Sequence, residues 1–242
     1  NDYLECRGFT LVSQLYVSEQ YDVIRRHLNE LEIDAYDFIY YCWKMIKCGD
    51  SELSETYDRF ISETMDELWD SKEDLDNFFS KQENYEMLLR GELGDNLLRK
   101  YTTHIHLENS IPSFNLVYKA IKHFVRKKLT PEIMESLEAS QKWVGGLRNI
   151  GSIIKRNSGP KLKEQLHLPY DVNAWYQNNN DTVQLLDYKK KVKYSIFADT
   201  PHIRNILNEG QQLYGEDIHY CVGKLLTNWR ISNFWLKCET QA

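Results

Sequence analysis

The spacing of apolar residues over the first two thirds of the chain restricts its fold more than any other feature. The clearest case is the stretch "ELSETYDRFISETMDELWD" (52–70), where the apolar residues are Leu53, Tyr57, Phe60, Ile61, Met65, Leu68 and Trp69. Steps of three and four place these side chains on one side of an α-helix, and acidic residues fill the opposite side. We therefore expect an amphipathic helix with Ser51 or Ser54 as its N-cap.

Similar patterns predict helices up to about residue 158, within 10–31, 71–91, 110–128 and 129–156. Ser71, followed three residues later by Asp74, is a weak form of the capping box. Thr130 followed by Pro131 is typical of a helix start. The adjacent glycines at 145 and 146 are expected to loosen or bend the last of these helices.

The pattern changes after Ser158–Gly159–Pro160. Residues 183–199, "VQLLDYKKKVKYSIFAD", alternate apolar and polar side chains from Val192 onwards, as a β-strand does. Thr200–Pro201 then indicates a return to helix. The sequence predicts a mainly α fold, a multi-helix domain with a small β-hairpin or strand insert in its C-terminal third. We expect a helical domain over 1–158 and a smaller α+β subdomain over 159–242 packed on it, or one continuous domain.

Composition limits the class of protein. The chain has 242 residues, 42% of them hydrophobic and 13% aromatic, which argues against disorder. No window approaches the roughly 18 apolar residues that span a bilayer. The five cysteines show neither CxxC nor CxxxCxxC spacing, so this piece encodes no zinc ribbon or iron–sulfur site. We expect a reduced, cytoplasmic protein without a signal peptide, cut from a longer chain because it does not begin with Met.

Charge is divided unevenly along the sequence. Residues 1–100 carry a net charge of −12, whereas residues 101–242 carry +6. We expect the two parts to attract each other. The basic stretches 122–128, 153–163 and 188–194 interleave lysines and arginines with aromatic residues, as nucleic-acid surfaces do. The overall pI of about 5.7 is wrong for a dedicated nucleic-acid binder, so solvated faces are the favoured interpretation.

The stretch "LRGELGDNLLRKY" (89–101) places two glycines between helical patterns. It lacks the GxxxxGK[ST] and GxGxxG spacings of phosphate loops, and no buried strand precedes it. Gly91 is suited to end one helix, while Asp95 or Asn96 caps the next. We interpret the segment as a tight corner between two helices.

Two histidines provide the one candidate metal pair, His104 and His106 in "THIH". On an extended segment both rings would reach a metal from one face, and Glu108 would complete a three-ligand set. The stretch "HLEN" is better suited to begin a loop, so a metal site is the less favoured interpretation. A metal-dependent hydrolase is kept as a hypothesis. No GxSxG elbow and no diagnostic cysteine supports nucleophilic catalysis.

Three segments carry a resemblance to a known family: 88–101, 168–197 and 215–229. Together, these segments resemble the region that follows the catalytic core in cobalamin-dependent-type radical S-adenosylmethionine proteins. That family includes anaerobic magnesium-protoporphyrin monomethyl ester cyclase-like oxidoreductases. The resemblance covers about 75–230. The matching residues are Gly91, Glu92, Gly94, Asn96 and Tyr101, then Tyr170, Asp171, Val172 and Trp175. A basic-aromatic strand and a terminal "GKLLT" helix follow.

The resemblance implies a C-terminal accessory domain of a radical S-adenosylmethionine oxidoreductase, without a catalytic centre of its own. The [4Fe–4S] cluster, S-adenosylmethionine and any cobalamin would belong to upstream domains of the parent chain, because this piece has no cysteine triplet. Such a domain would cap the active site or dock substrate. Tyr101, Asp171 and Trp175 are its candidate docking or substrate residues, with packing and turn capping as the alternative.

A second hypothesis comes from another class of protein. The chain would then be a free-standing helical module that binds a protein or a nucleic acid through the Lys/Tyr strand at 188–194. Single-stranded nucleic-acid binding of this kind would weaken steeply with salt.

Overall fold

The helices expected from the apolar spacing make up most of the protein, and a small antiparallel sheet lies in its C-terminal third. The computed structural model describes residues 2–17, 22–89, 96–148, 163–178, 180, 183–197, 201–215 and 237–239. The helices in these ranges are α1 (Asp2–Val17), α2 (Asp22–Glu30), α3 (Ala35–Lys47), α4 (Ser54–Asp66), α5 (Lys72–Phe79), α6 (Gln82–Leu89), α7 (Leu97–Glu108), α8 (Ser110–Phe124), α9 (Pro131–Arg148), α10 (Val172–Gln177) and α11 (Pro201–Tyr214). The strands are β1 (Lys163–Tyr170), β2 (Lys189–Phe197) and β3 (Lys237–Glu239), and a 3₁₀ turn spans Leu185–Tyr188. The predicted fold class is confirmed.

Short-range capping explains several helix starts. Ser71 accepts a hydrogen bond from the amide of Asp74 at 3.1 Å and so begins α5. Thr130 Oγ1 lies 3.3 Å from the amide nitrogen of Ile133, and α9 begins at Pro131, as expected from the Thr-Pro pair. Because such caps depend on residues three apart, they are readable from sequence.

The capping prediction for α4 is wrong. Leu53 occupies the N-cap position and makes no side-chain cap bond. Ser54 Oγ instead donates to the carbonyl of Ile46 at 2.7 Å, which ties the start of α4 to the end of α3. A contact with the preceding helix has replaced the local cap.

The predicted helix over 71–91 is divided into α5 and α6. Ser80 ends α5, and its hydroxyl donates to the carbonyl of Asn77 at 2.7 Å. Asn84 then reaches back to the carbonyl of Phe78 at 2.8 Å. Side chains that satisfy backbone carbonyls at this point allow the chain to turn. Neither α5 nor α6 has a buried residue.

The helical part is organised around α8. Residues on one broad side of this helix are buried, among them Phe114, Val117 and Ile121. It packs against α3, α7 and α9, while α1 packs against α3, α4 and α7. Any side chain at Gly8 would overlap the hydroxyl of Tyr57, so a glycine is needed where α1 crosses α4.

The sheet is packed onto α9. Strands β1 and β2 are antiparallel, with Leu168 opposite Val192 and Leu166 opposite Tyr194, and β3 pairs with the other edge of β2. Val192 and Tyr194 are buried, as the alternating pattern predicts. Helix α9 contacts β1, and one hydrophobic cluster includes described residues from both sides of the expected boundary at 158. Residues 149–162, which contain that boundary, lie outside the described ranges.

None of the helices in the described ranges combines the length and apolarity needed to cross a membrane.

Candidate functional site

Asp171 and Trp175, two of the residues singled out from the sequence, lie together where α10 meets β2. Asp171 is the N-cap of α10 and accepts a hydrogen bond from the amide of Ala174 at 3.0 Å. The same carboxylate oxygen accepts the hydroxyl proton of Tyr194 at 2.7 Å. Asp171 therefore has a capping role, which is one of the two alternatives that the sequence left open.

Trp175 is the centre of this region. Its side chain is completely buried, and its indole nitrogen donates to the carbonyl of Val183 at 3.0 Å. The Arg26 guanidinium carbon lies 4.7 Å from the centre of the indole ring, and the ring of His27 lies 4.7 Å away. The tryptophan thus joins α10 to α2, two elements about 150 residues apart in sequence.

Arg26 completes the connection. Its Nη1 donates to the carbonyls of Tyr176 and Asn178 at 2.5 and 3.0 Å, and its Nη2 donates to the carbonyl of Asn180 at 3.2 Å. These carbonyls lie in the last turn of α10 and just beyond it, where backbone oxygens have no helical partner. A planar guanidinium presents its donors from separate nitrogens in a fixed geometry, whereas a lysine presents all of its donors from one atom.

A chain of buried polar groups runs beneath Trp175. The hydroxyls of Tyr118 and Ser140 lie 2.7 Å apart, and Ser140 Oγ lies 2.8 Å from His27 Nε2. His27 Nδ1 is 3.5 Å from Glu30 Oε2. Burial raises the pKa of Tyr118, so its phenol carries a proton to donate. If each hydroxyl donates towards His27, the imidazole carries its proton on Nδ1, facing the carboxylate.

A cavity of about 310 Å³, including its open mouth, adjoins this chain. His27 and Glu30 line it together with Leu31, Ile133, Ser136, Leu137, Gln184 and Leu186. Glu30 Oε1 accepts the amide proton of Leu185 at 3.1 Å, which fixes the carboxylate against the 3₁₀ turn. We call this space the Glu30 cavity.

The order Ser140, His27, Glu30 matches the order of groups in a nucleophilic triad. Accessibility does not match, because Ser140 is fully buried in the interior of α9 and its hydroxyl is engaged by both His27 and Tyr118. The separation of 3.5 Å between His27 and Glu30 also exceeds a hydrogen bond. The arrangement is suited to holding α2, α8 and α9 together.

Tyr101 lies in a different place, on α7 against α4. It is buried, and its hydroxyl donates to Glu63 Oε1 at 2.8 Å, while Lys100 pairs with the other oxygen at 2.8 Å. Burial and the hydrogen bond to Glu63 raise the pKa of Tyr101. Burial alone would raise the pKa of Glu63, but the hydrogen bonds from Lys100 and Tyr101 lower it overall.

The helix-corner motif is described only in part. Asn96 caps α7, accepting the amide of Arg99 at 3.1 Å, as expected. Gly91, Glu92 and Gly94 lie outside the described residues.

The two histidines of the candidate metal pair do not share one face. His104 and His106 lie within α7, and residues two apart on an α-helix point about 200° away from each other. The extended segment that this pair would need is replaced by α7, which continues through both histidines. Within the described ranges, no group of three or more His, Cys, Asp and Glu side chains could hold a metal ion.

Comparison of the chain with models of protein families, with curated proteins and with solved structures finds no match.

Sequence reasoning missed Arg26, His27, Glu30 and Ser140. A signal for two of them was present: His27 falls four residues after Val23, and Ser140 falls three residues after Leu137. A polar residue on the apolar face of an amphipathic helix indicates a buried hydrogen-bonding partner. The identity of that partner depends on contacts far apart in sequence.

Proposed function

We propose that this chain is an accessory domain of a radical S-adenosylmethionine oxidoreductase that docks onto the upstream domains of the same polypeptide. The class of the parent enzyme rests on the resemblance of the segments around Asn96 and Trp175. The docking role is carried by one observation, the apolar side chains exposed between residues 63 and 89.

We call residues 63–89 the acidic apolar surface. Its exposed large hydrophobic residues are Met65, Leu68, Trp69, Tyr85, Leu88 and Leu89, with side chains between 40% and 69% accessible. The ring of Trp69 lies 4.9 Å from that of Phe78, so an aromatic pair connects the end of α4 to α5. This concentration of large exposed apolar residues in one part of the sequence favours an interaction site, and tryptophan and tyrosine are enriched where binding energy concentrates.

Charge indicates the chemistry of the partner surface. Residues 63–89 contain nine acidic residues and two lysines, for a net charge of −7. A partner segment that combines apolar side chains with lysines and arginines would bury the hydrophobic groups and neutralise the carboxylates. We assign this role to a basic amphipathic segment of the parent enzyme.

The residues of this chain do not fit the iron–sulfur cluster that the resemblance implies. The sequence has no cysteine triplet of the required spacing, and among the described cysteines Cys42 is buried while Cys6 and Cys48 are exposed. In this proposal, the cluster, S-adenosylmethionine and any cobalamin bind elsewhere in the parent chain. The contribution of this domain is to dock and to help close the active site, without a chemical step of its own.

The parent class is tested by reading the gene upstream of Asn1. A CxxxCxxC motif supports the proposal, particularly behind a cobalamin-binding domain. A start codon directly before Asn1 contradicts it.

Docking is tested by measuring the affinity of the chain for the separately produced upstream region. We expect the Trp69→Ala variant to bind more weakly than the unmodified chain by a factor of about ten or more. Tyr36→Ala is the matched control, because Tyr36 is also an exposed aromatic residue but lies on α3. Equal losses in both variants, or no binding at low salt, would contradict the docking role.

The alternative of a nucleic-acid module through 188–194 finds limited support in the site geometry. Lys189 and Lys191 are exposed, whereas Tyr194 is completely buried. Tyr188 is half-buried and is hydrogen-bonded to Asn178. These tyrosines are not placed to stack on bases, which single-strand binding requires. Binding of single-stranded DNA that weakens steeply with salt would favour this alternative.

A further inference from the structure

We propose that the Glu30 cavity is a binding site for a small organic cation, a primary ammonium group on a short apolar chain. This inference goes beyond the accessory role and does not depend on it. It rests on the geometry of one buried carboxylate and on the walls around it.

The carboxylate of Glu30 is held in place but incompletely paired. Its side chain is 6% exposed, and Oε1 accepts the amide proton of Leu185 at 3.1 Å. Within the described residues, Oε2 has no hydrogen bond, and the nearby His27 Nδ1 is too distant at 3.5 Å. Buried carboxylate oxygens are normally paired, because an unpaired one carries a desolvation penalty.

The remaining polar groups of the cavity are mostly engaged. Ser136 Oγ donates to the carbonyl of Ile133 at 2.9 Å, and His27 Nε2 is paired with Ser140. Gln184 is exposed at the edge of the cavity. A ligand would therefore meet one fixed anionic acceptor.

The other walls are apolar. They consist of Leu31, Ile133, Leu137 and Leu186. The cavity is small, because its volume of about 310 Å³ includes the open mouth, and it therefore takes only a short ligand. An ammonium group at Glu30 with a short hydrocarbon tail along these leucine and isoleucine side chains satisfies both parts of the cavity. An anionic ligand would be repelled by the carboxylate, and a metal ion would find too few ligands among the described residues.

The test uses n-butylammonium, with n-butanol and n-butyrate as probes of the same chain length. Binding to the whole chain is followed by NMR, through the amide of Leu185 and the ring of His27. We expect saturable shifts with n-butylammonium in roughly the millimolar range. We expect n-butanol to bind more weakly than n-butylammonium by a factor of about ten or more, because n-butanol lacks the charge.

Matched substitutions locate the site. Glu30→Gln keeps an acceptor for the amide of Leu185 but removes the charge, and we expect n-butylammonium to bind about ten-fold or more weakly. Glu32→Gln is the control, since the Glu32 side chain is 81% exposed and does not line the cavity. We expect its affinity to equal that of the unmodified chain.

A second variant covers the case in which Glu30→Gln fails to fold. Leu186→Phe adds volume at the cavity wall without touching the carboxylate, and we expect it to abolish the shifts. The proposal is overturned if n-butanol binds as tightly as n-butylammonium, if Glu30→Gln or Leu186→Phe binds like the unmodified chain, or if no saturable shift occurs.

Discussion

Arg26 is the residue that most directly connects the helical part of the chain to α10. Its guanidinium donates to three carbonyls and lies over Trp175. Hydrogen bonds to a charged donor contribute more than neutral ones, and partly buried carbonyls left without a donor destabilise the fold. The importance of Arg26 therefore comes from both its charge and its planar shape.

We expect Arg26→Lys to lower the free energy of unfolding by about 2–4 kcal/mol, because a single ammonium nitrogen replaces two fixed donor nitrogens and the planar contact with Trp175 is lost. Arg25→Lys is the control. Arg25 is 70% exposed and pairs with Asp22 at 3.4 Å, so its replacement should change stability by less than about 0.5 kcal/mol. Urea unfolding measures both variants. Equal effects would show that the carbonyl contacts of Arg26 do not stabilise the fold.

Tyr101 gives the protein a dependence on alkaline pH. Burial and the hydrogen bond to Glu63 raise its pKa above the ordinary value of 10.0. The unfolded state therefore releases this proton before the folded state does. The contribution of Tyr101 to stability is present below about pH 10 and is lost as the pH rises further.

We expect the unmodified chain to lose more stability than Tyr101→Phe between about pH 9 and about pH 11, by up to about 1.4 kcal/mol. Tyr36→Phe, at a position that is 63% exposed, should keep the pH dependence of the unmodified chain. Denaturant unfolding at the two pH values is the measurement. An unchanged slope in Tyr101→Phe would contradict the assigned environment.

At the scale of the elements, we expect alanine substitutions at two helical glycines to change the stability of the protein in opposite directions. Gly8→Ala would force α1 away from Tyr57 of α4, at a cost of about 1–3 kcal/mol. Gly145→Ala, in the interior of α9 with nothing within 4 Å of the added carbon, should increase stability by up to about 1 kcal/mol. Thermal unfolding distinguishes them, and a stable Gly8→Ala variant would argue against the close crossing of α1 and α4.

The elements were predictable where their signals are local. Ser71, Asn96 and Thr130 were expected to cap or begin helices, and each does so through a bond to an amide three residues ahead. The alternation around Val192 and Tyr194 likewise predicted the strand. Local contacts of this kind are encoded by adjacent residues, which is why a single sequence is sufficient to find them.

The site around Trp175 was not predictable in the same way. Arg26 and Asn180 are 154 positions apart, and His27 and Ser140 are 113 positions apart. Such partners are brought together only by packing. The break between α5 and α6 was missed for a related reason: the apolar spacing continues across Ser80, and the turn depends on side-chain bonds to backbone carbonyls.

At the scale of the whole molecule, the attraction between the oppositely charged parts of the chain stays a prediction. Among the described residues, Lys128 pairs with Glu32 across the charge division, but both side chains are more than 70% exposed. Such pairs contribute little. The shared hydrophobic cluster is the stronger connection between the two parts. Within it, the ring of Trp175 contacts His27 of α2.

The central claim is that the acidic apolar surface docks onto the parent enzyme. Hydrogen exchange measured on the complete product of the reading frame and on residues 1–242 alone tests it most directly. Docking predicts that amides within 72–89 exchange about ten-fold or more slowly in the complete protein, whereas those of α8 are unchanged because that helix is already buried. Identical exchange of 72–89 in the two proteins would contradict the claim.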